Sequence, residues 1–131
     1  MLSPLTLTKE ERISSKKLLE KLFDRAAKRS VVAYPLRAVY LVLDSDETTI
    51  PVQVMVSVPK RLFHHAVQRN RTKRQIREAY RKHKAILIET AEAKPGKKIA
   101  IGFVWLDSQL HDSGVVERCV CRLLGKIREV I

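Results

Sequence analysis

Residues 66–81 read AVQRNRTKRQIREAYR, and six of these sixteen residues are Arg or Lys (Arg69, Arg71, Lys73, Arg74, Arg77, Arg81) against one acid, Glu78. No Pro or Gly interrupts the run and good helix formers dominate, so the stretch predicts an α-helix continuing to about Thr90. At about 100° per residue, Asn70, Lys73, Arg74, Arg77 and Arg81 share roughly one third of the circumference, while Thr72, Ile76, Ala79, His83, Ile86 and Leu87 gather opposite. One flank is therefore built to pack and the other to carry guanidinium groups. Like charges at i,i+4 (Arg69–Lys73, Arg77–Arg81) and i,i+3 (Arg71–Arg74, Arg74–Arg77) disfavour an isolated helix. Such dense self-repulsion makes sense when a polyanion sits against it.

Outward from this helix, element types alternate. Upstream, Ser14 or Ser15 caps a helix expected to run to about Lys28, with Leu18, Leu19, Leu22, Phe23 and Ala26 as its apolar stripe. LRAVYLVL (36–43) reads as a strand ended by the turn DSDETT. PVQVMVSVP (51–59) reads as a second, and the two are expected to pair as an antiparallel hairpin. Val52, Val54, Val56 and Val58 would lie under a helix, leaving Gln53, Met55 and Ser57 on a face open to solvent or ligand. A short strand near Val31–Ala33 is weakly signalled.

Downstream, a turn at Lys94-Pro95-Gly96-Lys97 precedes a buried-type strand, KIAIGFVWL, whose Phe103 and Trp105 suit a core. HDSG then opens a final helix with Val116, Cys119, Val120, Leu123, Leu124 and Ile127 inward. The order α-β-β-β-α-β-α, one strand being the weak one, predicts an α+β fold: a small sandwich with helices packed on a four-stranded sheet.

A chain of 131 residues with 45% hydrophobic content fits one domain, 1–131, with one modest core. Its net charge is +12 and its pI about 10.1, which favours nucleic acid as partner. Residues 60–84 hold ten Lys or Arg and only Glu78, so nine of the twelve net charges fall in 25 residues. A merely solubilising surface would intersperse the two signs.

The N-terminus MLSPLTLTKEER lacks the basic and apolar regions of a secretory signal, and no apolar run approaches the roughly 18 residues that span a bilayer. Cys119 and Cys121, the only cysteines, make a poor zinc site and a strained bridge, which suits a reduced cytoplasm.

The central pattern AV-x-RNR-x-KR-x-x-RE resembles the signature of the protein subunit of bacterial ribonuclease P, matched here by Ala66, Val67, Arg69, Asn70, Arg71, Lys73, Arg74, Arg77 and Glu78. The likeness extends to LTKEERI and LLEKLF near the N-terminus, to YPLRAVYLV and to VSVPKR. The resemblance implies an α-β sandwich in which the signature helix joins two parallel strands by a left-handed crossover. It also implies a protein that assists a catalytic RNA in cleaving precursor tRNA to a mature 5′ end. The RNA, with Mg²⁺, performs the hydrolysis in the holoenzyme; no cofactor is expected on the protein alone. The partners would be the catalytic RNA and precursor tRNA, with no membrane and no DNA.

On this resemblance, Arg69, Asn70, Arg71, Lys73, Arg74, Arg77 and Arg81 meet the catalytic RNA. Phe23, Tyr40, Val56, Ser57, Lys60 and Arg61 would serve the single-stranded 5′ leader in a cleft between the first helix and the sheet, with Val54 also on its floor.

The residues themselves agree with a non-catalytic role. The acids are scattered, with no DxD or DxE pair at a strand end; Asp44 and Asp46 fall in a turn, and His64 and His65 have no nucleophile or carboxylate nearby in sequence. Planar guanidinium groups hold phosphate bidentately. Asn70 either bonds RNA or caps the crowded helix start. Phe23 is either a stacking platform or part of the stripe with Leu19 and Leu22, and the hydroxyl of Tyr40 favours a wet edge.

Two departures from the family pattern stand out: Leu19 replaces a common aromatic, and the loop 57–65 is longer and lacks glycine. The alternative functions are a structural ribosomal RNA-binding protein and a helix-in-groove DNA module. Neither predicts the spacing of the signature.

Overall fold

The computed structural model describes residues 7–24, 29–44, 50–94 and 96–131. After a 3-10 turn at Lys9–Glu11, the order is α1 (Lys16–Leu22), β1 (Arg29–Ala33), β2 (Leu36–Asp44), β3 (Val52–Ser57), α2 (Ala66–His83), α3 (Ala85–Glu92), β4 (Lys97–Trp105) and α4 (Ser113–Val130). Ser15 caps α1, its side chain accepting from Leu18 N at 3.2 Å, and Asp112 caps α4 in the same way from Val115 N at 3.0 Å. The helical extension expected through Ala26 to Lys28 lies outside the described residues, as do Asp46 and Pro95.

The sheet order is β1-β2-β4-β3. β2 and β3 therefore do not form the expected hairpin. β4 lies between them, antiparallel to β2 and parallel to β3. The true hairpin is β1–β2, turning at a cis Tyr34–Pro35 peptide. β3 and β4 are adjacent parallel strands joined by the crossover that contains α2 and α3. The long helix expected to Thr90 is broken at Lys84 into these two.

Residue parity on each strand divides the interior into two layers. Leu36, Ala38 and Tyr40 of β2, Val52 and Val54 of β3, and Ile99, Ile101, Phe103 and Trp105 of β4 form the main core with α2, α3 and α4. The inward residues of α4 are the six that its periodicity picks out. On the opposite face, Val39, Leu41 and Ala100 pack with Leu22 of α1, supported by Ile13, Leu18, Leu43 and Met55. Gly102 lies under α1, where an added Cβ would stand 3.1 Å from Leu22 Cδ2, Met55 Sδ and Val39 Cγ2.

The stretch before α1 runs along the free edge of β3. Arg12 bridges Val54 in parallel fashion, Ile13 N donates to Val54 O at 2.8 Å, and Gln53 Nε2 donates to Glu10 O at 3.1 Å.

Candidate nucleic-acid interface

α2 packs through Thr72, Ile76, Ala79 and Tyr80, all buried, which turns its basic flank outward. Asn70, Arg71 and Arg74 are exposed, whereas Arg69, Lys73, Arg77 and Arg81 are half-buried. The seven signature-helix residues thus divide by environment. Arg69 is a structural tie: its Nη1 donates to Phe63 O at 2.8 Å and His64 O at 3.1 Å, closing the loop before the helix. Arg81 pairs with Glu78 through bonds of 2.9 and 3.3 Å, and this contact holds the Glu78 carboxyl below its ordinary value. Asn70 is not a cap, because the N-cap position belongs to His65 and Asn70 lies in the second turn.

Arg77 points to the flank of α2 beside the edge of β3. Partial burial and the nearby Arg12 guanidinium lower its pKa. The two arginines line a hollow of about 240 Å³ with Leu7, Ile13, Leu19, Val54, Met55 and Val56. On the other flank, Gln75 Nε2 donates to His111 O at 3.0 Å and His83 Nε2 lies 2.7 Å from Glu117, tying α2 to α4.

The sheet face under α1 is only partly covered. Beyond Leu22, the register sets Arg37, Val104 and Ser57 side by side on β2, β4 and β3, all half-buried. Alternation puts them on the face of Val39, Gly102 and Met55. Phe23, the residue after Leu22 at the end of α1, is 40% exposed, so it is not spent in the core. Lys60 and Arg61, both exposed, occupy the turn just after Ser57.

Two of the expected cleft residues are placed elsewhere. Tyr40 is 5% exposed and belongs to the main core, on the face covered by α4, because its parity is that of Leu36 and Ala38. Val56 also faces the main core, though it borders the Arg12–Arg77 hollow, while its neighbour Ser57 faces the open strip. The floor of Val54, Val56 and Ser57 is therefore not one surface: alternation sends Ser57 to the side opposite the two valines.

Arg37 replaces them as the basic group on the strip. In the sequence it is one cation inside an apolar strand, a signal for a sheet face left uncovered. Asp44 is held by Lys97 at 2.6 Å.

The Ribonuclease P family model matches residues 7–99. The ribonuclease P protein component of Porphyromonas gingivalis strain ATCC 33277 is 36% identical over 129 residues, covering 97% of this chain and 91% of that protein. The corresponding component of Chlorobaculum tepidum is 50% identical over 48 residues, covering 37% and 31% of the two chains. Two solved structures share the fold. A Staphylococcus aureus RNase P protein, a mutant with defective mRNA degradation activity, superposes with a TM-score of 0.70 at 19% identity, covering 92% of this chain and 90% of that one. The structure of the S. aureus RNase P protein at 2.0 angstrom gives 0.64 at 20% identity, covering 89% and 94%. With its signature helix displayed on this fold and a family match over most of its length, the chain belongs to the ribonuclease P protein family, as a protein subunit of that tRNA-processing endoribonuclease.

Proposed function

We propose that this subunit docks on the catalytic RNA through the exposed part of α2, chiefly Asn70, Arg71 and Arg74 with Lys73. The 5′ leader of precursor tRNA then lies on the open strip of the sheet, against Phe23, Arg37, Ser57, Lys60 and Arg61. The observation that carries this reading is that the guanidinium face of α2 reaches, through Arg77 at the edge of β3, the side of the sheet that α1 covers only in part and where α1 ends in the exposed Phe23.

The chemistry follows from charge. Two RNAs brought together repel through their phosphates, and fixed cations between them replace part of the counterion atmosphere that Mg²⁺ otherwise supplies. The exposed ring of Phe23 offers a stacking surface for an unpaired base, and Arg37, Lys60 and Arg61 follow the backbone. Hydrolysis with Mg²⁺ belongs to the RNA. The carboxylates of Glu11, Asp44 and Glu78 each face a Lys or Arg of the protein itself, and that of Glu117 faces His83. The cytoplasm, where precursor tRNA is processed, is the matching compartment. Among the described residues no helix is long and apolar enough to cross a membrane.

The test is cleavage of a 5′-extended precursor tRNA at low Mg²⁺ by a bacterial ribonuclease P RNA, with and without the protein. Stimulation that disappears in the folded variant Arg71→Ala/Lys73→Ala/Arg74→Ala supports the reading. Tight RNA binding without stimulation of a cognate RNA would instead point to a general RNA-binding protein such as a ribosomal one.

A further inference from the structure

Glu11 and Lys84 stand outside the RNA-facing surfaces, yet their ion pair is the best-buried one among the described residues, with distances of 2.8 and 3.0 Å. Glu11 also accepts from Thr8 N at 3.1 Å and Thr8 Oγ1 at 3.2 Å, so its carboxylate organises the 3-10 turn as well as gripping the α2–α3 junction. The next residue, Arg12, is thereby pinned against the edge of β3, with Ile13 N on Val54 O.

That placement carries a cost. Arg12 is held near Arg77, and the two guanidinium groups repel each other across the hollow at the edge of β3. Without the pair, residues 8–13 would keep only the Ile13–Val54 edge bond, the Gln53 bond to Glu10 O and the packing of Ile13 on the α1 side, and swinging away would relieve the repulsion. The buried pair opposes that escape, since separating it would strand a charge in an apolar setting.

We infer that Glu11 and Lys84 are positioning residues: their buried pair locks residues 8–13 onto β3 so that Arg12 and Arg77 jointly present two guanidinium groups to the precursor's RNA backbone. The hollow adjoins Met55 and Leu19, so it continues from the open sheet strip toward α2. This assignment rests on the leader-binding reading above.

The experiment uses holoenzyme assembled with a bacterial ribonuclease P RNA and the variants Glu11→Gln and Lys84→Met. Three quantities are measured: amide exchange at Ile13, affinity for a leader-bearing precursor, and affinity for mature tRNA. The lock predicts exchange at Ile13 faster by at least about tenfold beyond whatever change the core amide of Ile76 shows, since Ile76 reports global stability. It also predicts roughly tenfold weaker precursor binding, with mature tRNA binding within about twofold and kcat at saturation unchanged. Purely structural damage would instead lower both affinities together. Protection of Ile13 equal to wild type overturns the inference, as does its loss without any precursor effect.

Should Lys84→Met fail to fold, Ile13→Pro removes the Val54 bond with the buried pair intact and should reproduce the precursor-specific loss. Unchanged precursor binding in that variant also overturns the inference. If the wild-type protein does not stimulate the RNA, the subunit mechanism fails, and Ile13 exchange in the free protein still decides whether the pair holds the segment.

Discussion

The ammonium of Lys84 lies 2.8 and 3.0 Å from the two carboxylate oxygens of Glu11, and both side chains are almost closed to solvent. Removing one partner leaves the other's charge buried. Lys84→Met or Glu11→Ala is therefore expected to lose about 3–5 kcal/mol in urea denaturation. The double change Glu11→Leu/Lys84→Met, which removes both charges, should recover most of that loss. A double variant as unstable as the worse single one would refute the ion-pair account.

Arg71 and Arg74 are exposed and should act on RNA without acting on the fold. Arg71→Ala/Arg74→Ala is expected to keep the wild-type melting temperature. Its log–log salt slope for binding the catalytic RNA should fall by about 2, one phosphate contact for each arginine. Affinity measured across a series of KCl concentrations checks this.

Arg69 should behave in the opposite way. Its guanidinium closes the 63–64 loop through two carbonyl bonds, so Arg69→Ala should cost about 1–2 kcal/mol of stability before any RNA is added. A thermal melt identical to wild type would show that the residue faces RNA only.

Gly102→Ala tests the seating of α1. The new methyl would stand 3.1 Å from Leu22, Met55 and Val39, tighter than ordinary contact. About 1–3 kcal/mol of destabilisation is expected. Because Phe23 ends that helix, precursor affinity should drop further than affinity for mature tRNA.

The link between α2 and α4 responds to acid. The hydrogen bond from His83 holds the Glu117 carboxyl below its ordinary value of 4.5. A depressed carboxyl contributes stability that is present above that ordinary value and is lost as pH falls through the folded value. Glu117→Gln should therefore flatten the decline of the urea midpoint between about pH 5 and pH 3 relative to wild type. An unchanged acid limb would rule out this contribution.

Sequence periodicity identified faces well and neighbours poorly. The inner stripe of α4 and most of that of α2 followed from spacing alone, because each helix buries one side only. The β2–β3 pairing failed for a physical reason: the strand that separates them is synthesised forty residues after β3 ends, and alternation says nothing about lateral order. Tyr40 falls on the core side and not in the cleft because residues 38–41 are buried on both faces, so the apolar run after Arg37 hides which parity meets α1. The signature arginines are visible as charge, whereas the division between exposed Arg71 and loop-closing Arg69 depends on how the 63–64 loop folds back. The Glu11–Lys84 pair joins residues 73 positions apart and has no local pattern at all.

β4 is both the last strand made and the one between β2 and β3. During translation the arginine-rich helix therefore leaves the ribosome before the sheet that orients it can close. A nascent chain ending at Gly96 already carries the RNA-attracting charge, but its β2 and β3 have no shared neighbour and α1 has no complete surface to lie on. Early encounters with RNA are then governed by charge alone, and discrimination begins only when residues 97–105 have been added. The connectivity makes selectivity a property of the finished polypeptide.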